Sequence, residues 1–234
     1  MKKLRLVFAL TVVVLAVAGC SAHEYYPAEP DYIPNGAMSG YRADSGSGYT
    51  SVVTVKKDDD GQVYFWLGEK YRLDPHSSVP YEKQYRAMAS LRQSEAFVDG
   101  RAHVYVRWVE PIDDGTFTTD TTVPGSDGID INLRSWITTS DDGYLTLHYT
   151  AKWGQHPVHH DFYLVAGTDP SDPYTLELRH NANGDPQEVE AEGIINFDLN
   201  SLPDTGETAH IIHLKWKNCA GEAEAADFGF KTRK

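Results

Sequence analysis

Apolar side chains recur at every second position through most of this chain, and that two-residue period confines it to strands. Ile129, Ile131 and Leu133 alternate with Asp130, Asn132 and Arg134; Leu145, Leu147 and Tyr149 alternate with Thr146, His148 and Thr150. Runs of this kind turn one face to a core and the other to water. No heptad repeat and no long amphipathic stretch accompanies them. The 14 Tyr, 5 Trp and 19 Gly among 234 residues agree with strands and turns. The expected fold class is all-β.

The strand pattern divides in two, with a break near residues 115–128 that holds Thr118 to Thr122 and Pro124-Gly125. Before the break, Val53 and Val55, then Val63, Phe65 and Leu67, read as a strand pair turned by Asp58-Asp59-Asp60-Gly61. Tyr71 to Leu73 and Val104 to Trp108 add two more. Gln84 to Gln93 fits either a strand or a helical turn through Tyr85, Met88 and Leu91. Five short strands over residues 46–118 suit a small OB-type barrel. After the break, residues 119–234 give seven strand candidates, which suit a seven-stranded antiparallel β-sandwich. Asn183-Gly184 is the strongest hairpin turn by composition, because both central positions of a type I′ turn need positive φ.

The N-terminus has a different character. Met1-Lys2-Lys3-Leu4-Arg5 precedes an apolar run from Leu6 to Ala18, interrupted by Thr11. A basic start and a short apolar run form a secretory signal peptide, here residues 1–19. A membrane-spanning helix needs about 20 apolar residues, so this run is too short. It ends Leu15-Ala16-Val17-Ala18-Gly19-Cys20, which resembles the bacterial lipobox, whose cysteine is lipidated and becomes the new N-terminus. The expectation is a lipid on Cys20, a membrane partner through that lipid, and a tether over residues 20–45 containing Pro27, Pro30 and Pro34. Ser21 follows the cysteine where an inner-membrane retention signal would place Asp, so the outer membrane is expected. Cys219 is left as a lone, unreactive thiol.

Charge excludes one class of partner. A net charge of −13 opposes nucleic-acid binding, which depends on Lys and Arg meeting phosphates. Loss of Lys2, Lys3 and Arg5 with residues 1–19 takes the mature chain to −16. The 9 bases and 11 acids of residues 46–118 nearly balance, so the acidity belongs to the sandwich.

Three segments carry a family resemblance: Leu176 to Asp185 (LELRHNANGD), Phe197-Asp198-Leu199-Asn200-Ser201-Leu202, and Ile212 to Asn218. With the lipobox they resemble the NigD-like lipoproteins, most specifically from about Gly128 to Lys217. In the barrel the likeness rests on strand pattern and the Trp108-Val109-Glu110-Pro111 exit. The resemblance implies an N-terminal OB-type barrel, a C-terminal β-sandwich and lipidation at Cys20. It also implies a role suggested for that family, bacteriocin immunity, and transfers no catalytic residue. Many relatives carry an acidic run after the lipidated cysteine; Ser21-Ala22-His23-Glu24 stands there instead, so the resemblance does not extend to the membrane leaflet.

Candidate chemistry is sparse. Of 10 His, His159, His160 and Asp161 adjoin, and His148 alternates to the same side of its strand as His213 does of its own. Two such histidines that met across strands, with Asp161, would make an open zinc site and a metal-dependent hydrolase. Consecutive strand residues point to opposite faces, however, as do His210 and His213. The preferred reading makes them surface residues, with no metal and no cofactor. The Asp-Gly turns at 58–61, 113–115 and 141–143 lack the twelve-residue calcium-loop pattern. No Gly-x-Ser-x-Gly elbow and no phosphate loop occurs, so no catalytic residue is assigned. The function expected is non-enzymatic binding of a protein or glycan in the cell envelope.

Overall fold

The computed structural model describes residues 41–43 and 48–233; the expected signal peptide, Cys20 and most of the tether lie outside the described residues. Every element described is a strand. The first six are β1 (Tyr41–Ala43), β2 (Tyr49–Lys57), β3 (Val63–Leu67), β4 (Tyr71–Pro75), β5 (Tyr85–Gln93) and β6 (Arg101–Pro111). They run in the order β1-β2-β3-β4-β6-β5, and β2 also pairs with β5, so β2 to β6 close into a five-stranded barrel. Val53, Val55, Phe65, Leu67, Leu73, Ala87, Ala89, Leu91 and Val104 fill it and are 0–1% exposed.

The ambiguous segment at Gln84 is a strand. Tyr85, Ala87, Ala89 and Leu91 share its inner phase, while Met88 turns outward and is half-buried. A bulge opposite Ser90 and Leu91 inserts Arg107 between Val106 and Trp108 of the register, which shifts the outward phase of β6 from Tyr105 to Trp108. β1 lies in the expected tether and pairs antiparallel with β2.

Nine strands follow: β7 (Thr116–Thr118), β8 (Ile129–Ile131), β9 (Thr139–Asp141), β10 (Tyr144–Trp153), β11 (Asp161–Ala166), β12 (Thr175–Asn181), β13 (Val189–Asp198), β14 (His210–Lys217) and β15 (Ala223–Phe230). All seven expected sandwich strands are present, as β8 and β10 to β15. The additions are short. β7 lies in the segment read as a linker, and β9 precedes the Asp142-Gly143 turn. One sheet runs β13-β10-β8 with β9 on β10; the other runs β15-β14-β12-β11-β7. Two pairings are parallel, β7 with β11 and β12 with β14, so the second sheet is mixed. Leu145, Leu147, Leu164, Leu176, Phe197, Ile212 and Leu214 pack between the sheets with no exposure.

The turns carry one reversal. Asn183 and Gly184 adopt positive φ (52° and 78°), as their composition requires. They do not close a hairpin, because β12 and β13 belong to different sheets. The turn crosses the sandwich, closed by Asp185 N–H donating to the Ala182 carbonyl at 2.9 Å, and delivers Asp185 inside. Two-residue turns of this kind stand elsewhere: Asp142-Gly143, with φ of 49° and 74°, joins β9 to β10, and Asp99-Gly100, with φ of 51° and 76°, precedes β6.

Candidate functional site

The histidines separate by strand phase. His160, Phe162 and Leu164 share the inward phase of β11, and Leu176, Leu178 and His180 share that of β12. His160 and His180 are 2% and 1% exposed. Their rings form a line: His180 Nδ1 donates to the Gly128 carbonyl at 3.1 Å, His180 Nε2 lies 2.8 Å from His160 Nδ1, and His160 Nε2 lies 3.1 Å from Asp185 Oδ2. Trp153 stacks on His160 with centroids 3.7 Å apart and planes within 6°, and Phe162 stacks on His180.

Both ends of the line are acceptors, a carbonyl and a carboxylate, and the two rings connect them through three contacts. The Gly154 N–H, which donates to Asp185 at 2.8 Å, together with His160 holds the Asp185 carboxyl below the usual carboxylate range. Burial pushes His180 below the ordinary imidazole value. The arrangement stores polarity inside the sandwich and is closed to substrate.

The alternative zinc site is not assembled, and His160, preferred as a surface residue, is buried instead. His160 meets Asp185 rather than Asp161, and exposed His159 lies 3.4 Å from Asp161. His148 contacts Ser135 and Glu192 on the β10 sheet, whereas His213 pairs with Asp227 on the other sheet. The two histidines therefore do not meet across strands. Among the described residues, no group of three His, Cys, Asp or Glu is placed to hold a metal ion.

Cys219 follows β14 and is partly buried, its thiol 3.8 Å from the Thr150 carbonyl. Burial and the nearby Asp130 push the thiol up to about 11 from an ordinary 9.0. Its thiolate fraction near neutral pH should fall about a hundredfold, since each pKa unit is a factor of ten and the thiolate is the nucleophile. Alkylation of Cys219 at pH 8, followed by peptide mass spectrometry, should be slower than that of free cysteine by about that factor. A rate equal to free cysteine would contradict the assigned environment.

Barrel and sandwich are joined by buried charge. Arg86, on the outward phase of β5, has no exposure and clamps Asp141 of β9, with Nη1 to Oδ1 at 2.7 Å and Nη2 to Oδ2 at 3.1 Å. Nη1 also donates to Thr54 Oγ1 at 3.0 Å, and Thr139 Oγ1 donates to Asp141 Oδ2 at 2.9 Å. Lys56 donates to Asp142 Oδ1 at 2.6 Å beside this pair.

The outer surface of the barrel around β6 carries a row of rings and cations. The His76 ring lies between His103 (5.4 Å) and Tyr105 (4.6 Å), and the Arg92 guanidinium sits 4.6 Å from the centroid of Tyr105. Tyr105 and Trp108 are 46% and 43% exposed, large fractions for aromatic side chains. The aromatics of β3 are more enclosed: Arg72 covers the Tyr64 ring at 4.0 Å, and Lys56 lies 5.6 Å over Trp66.

Residues 110–230, spanning the whole sandwich, match the family profile described as NigD-like C-terminal beta sandwich domain. This chain belongs to the NigD-like family. Three crystal structures share its fold. A candidate toxin-related protein of Parabacteroides distasonis is 24% identical, with a TM-score of 0.66 over 79% of this chain and 93% of its own. A NigD-like immunity protein of Bacteroides caccae is 18% identical, with a TM-score of 0.52 over 76% and 91%. A candidate lipoprotein of Bacteroides fragilis is 13% identical, with a TM-score of 0.53 over 80% and 100%. At these identities the likeness establishes the architecture common to these NigD-like and related chains. No curated protein sequence matches this NigD-like chain.

Proposed function

We propose that this NigD-like chain is a non-catalytic protein of the cell envelope, held in the outer membrane by a lipid on Cys20, that binds a protein or glycan partner. The observation that carries the reading is the exposed row on the barrel, where Tyr105, Trp108, His76 and Arg92 offer aromatic and cationic contacts. Tyr, Trp and Arg concentrate binding energy at interfaces because they combine large apolar area with a polar handle. Two features support it. His160, His180 and His213 are committed to contacts within the chain. The buried Arg86–Asp141 clamp fixes the barrel to its neighbour, so the face is presented on a rigid body. The reading calls for no cofactor and no nucleic acid.

The test uses the full chain, detergent-solubilised and immobilised, against envelope extracts and a glycan array. The combined substitutions Tyr105→Ala and Trp108→Ala should weaken capture about tenfold or more, the cost of losing interface anchors. No partner and no glycan signal for the unaltered chain, or capture indifferent to both substitutions, would overturn the reading.

A second reading is bacteriocin self-protection, favoured by the Bacteroides caccae structure described as a NigD-like immunity protein. Deleting the gene should then sensitise the producing cell to its cognate toxin, and unchanged sensitivity would remove this reading.

A further inference from the structure

The second sandwich sheet ends at β15, and no strand lies beyond it among the described residues. The strand runs 8 residues, Ala223–Phe230, in unbroken antiparallel register with β14. Its bonding pattern follows from the turn before it. Asn218 N–H donates to the Glu222 carbonyl at 2.8 Å, and bonded pairs recur at every second residue from there. Glu224, Ala226, Phe228 and Phe230 therefore spend their main-chain groups on β14. Ala223, Ala225, Asp227 and Gly229 turn theirs away from it, where no described main-chain group meets them.

An open edge pairs with another strand unless something blocks it. The other sandwich edges are short or partly closed. β7, β8 and β9 hold 3 residues each, and the outer side of β13 is closed at Asn196 by Asp113 and Gly115. β15 has no such protection: no proline, no lysine and no bulge interrupts it. Three of its outward side chains are small (Ala223, Ala225 and Gly229), and a Cβ on Gly229 would meet nothing within 4 Å.

Charge selects the occupant. Glu222, Glu224 and Asp227 stand exposed along this edge, in a chain of net charge −13. Lys231, beyond the end of the strand, acts on Glu69. Lys215 and Lys217 of β14 stand one strand back, with Lys217 Nζ donating to the Ser126 carbonyl. A second copy of the chain would bring these acids against their own kind, whereas a basic strand meets opposite charge. Ala226 and Phe228 are half-buried at the rim of the core, so apolar side chains on the inner face of an added strand would extend it.

We propose that the β15 edge receives an extended, basic segment of a partner protein as a sixth strand of this sheet. Main-chain hydrogen bonds supply the affinity and the acids select the charge. The site shares no residue with the exposed barrel row and does not depend on that reading.

The test titrates three octapeptides, alternating valine with lysine, serine or glutamate, into the detergent-solubilised full chain at about 0.15 M salt. The lysine peptide should bind saturably and about tenfold tighter than the serine peptide, and the glutamate peptide should not bind. Bound peptide should slow hydrogen exchange across residues 223–229, which loose attraction between charges does not do. Ala225→Pro removes an outward N–H and keeps every bond to β14. It should weaken binding about tenfold or more while leaving the denaturation midpoint close to that of the unaltered chain. Glu224→Lys combined with Asp227→Lys should transfer the preference to the glutamate peptide. No binding of the lysine peptide, binding without slowed exchange, or full affinity in Ala225→Pro would overturn the proposal. So would a dimer of the chain that Ala225→Pro dissociates, since a second copy would then hold the edge. Each of those outcomes leaves partner capture by Tyr105 and Trp108 unaffected, so the two readings fail separately.

Discussion

Arg86→Ala is expected to destabilise the folded chain by about 3–5 kcal/mol, the cost of breaking a buried ion pair from one side. The guanidinium is wholly buried, and its fork meets both Asp141 oxygens while also donating to Thr54 and Thr146. Thr146 donates onward to Asn196, and Asn196 to Asp114, so the polar chain runs from barrel strand β5 deep into the sandwich. Removing Arg86 strands the Asp141 carboxylate where water does not replace the lost donors. Arg86→Lys should recover little, because a single ammonium does not reproduce the two-pronged contact. The double substitution Arg86→Met with Asp141→Leu should cost much less than the sum of the single changes, since it leaves no unpaired charge. Guanidinium denaturation followed by tryptophan fluorescence measures these three variants and the two single changes, Arg86→Met and Asp141→Leu. A loss below about 1 kcal/mol for Arg86→Ala would match an exposed pair and contradict the clamp.

His160→Ala should be comparably severe, about 3–5 kcal/mol, because it removes a buried ring and takes one of two hydrogen-bond partners from the buried Asp185 Oδ2. The substitution deletes the ring on which Trp153 stacks and leaves His180 Nε2 and Asp185 Oδ2 facing a void. Acid should act on the same line. His180 is held below its ordinary value, so on acidification the unfolded chain takes up a proton there first, and stability falls below about pH 6.5. Asp185 is likewise held low, and its contribution is present above the unfolded value of about 3.9 and lost as pH falls further. The two effects share a sign: stability declines from near neutral towards acid, in two stages. Denaturation midpoints between pH 7.5 and 4 should show the first stage in the unaltered chain and lose it in His180→Phe. A midpoint flat across that range would contradict the buried assignment of His180.

Strands were legible because period two is written directly into the chain. Four barrel strands and all seven expected sandwich strands form where their apolar phase places them, while Gln84 to Gln93, which fitted either a strand or a helical turn, is the strand β5. Turn chemistry was legible only in part. Asn183-Gly184 dictates positive φ, but nothing local states whether the next strand joins the same sheet, and here it crosses. The parallel pairings of β7 and β14 were hidden for the same reason. The polar clusters were the least legible. Arg86 occupies the outward phase of β5, where a solvated Arg and a domain-clamping Arg look alike, and its partner Asp141 is 55 residues away. The histidine line did leave a trace. His160 and His180 both fall in the inward phase of their strands, and a polar residue in an apolar phase needs an internal partner. Asp185 gave no such sign, because the sheet-crossing turn brings it inside.

Where the chain is held decides which partners it meets, so the account depends most directly on Cys20. Growing the native host with an alkynyl fatty acid, then coupling a reporter to the purified chain, measures acylation there. The expected result is a labelled wild-type chain in the outer-membrane fraction and, for Cys20→Ser, an unlabelled chain absent from that fraction. A wild-type chain that carries no label, or a Cys20→Ser chain that still labels and sediments with the outer membrane, would contradict it.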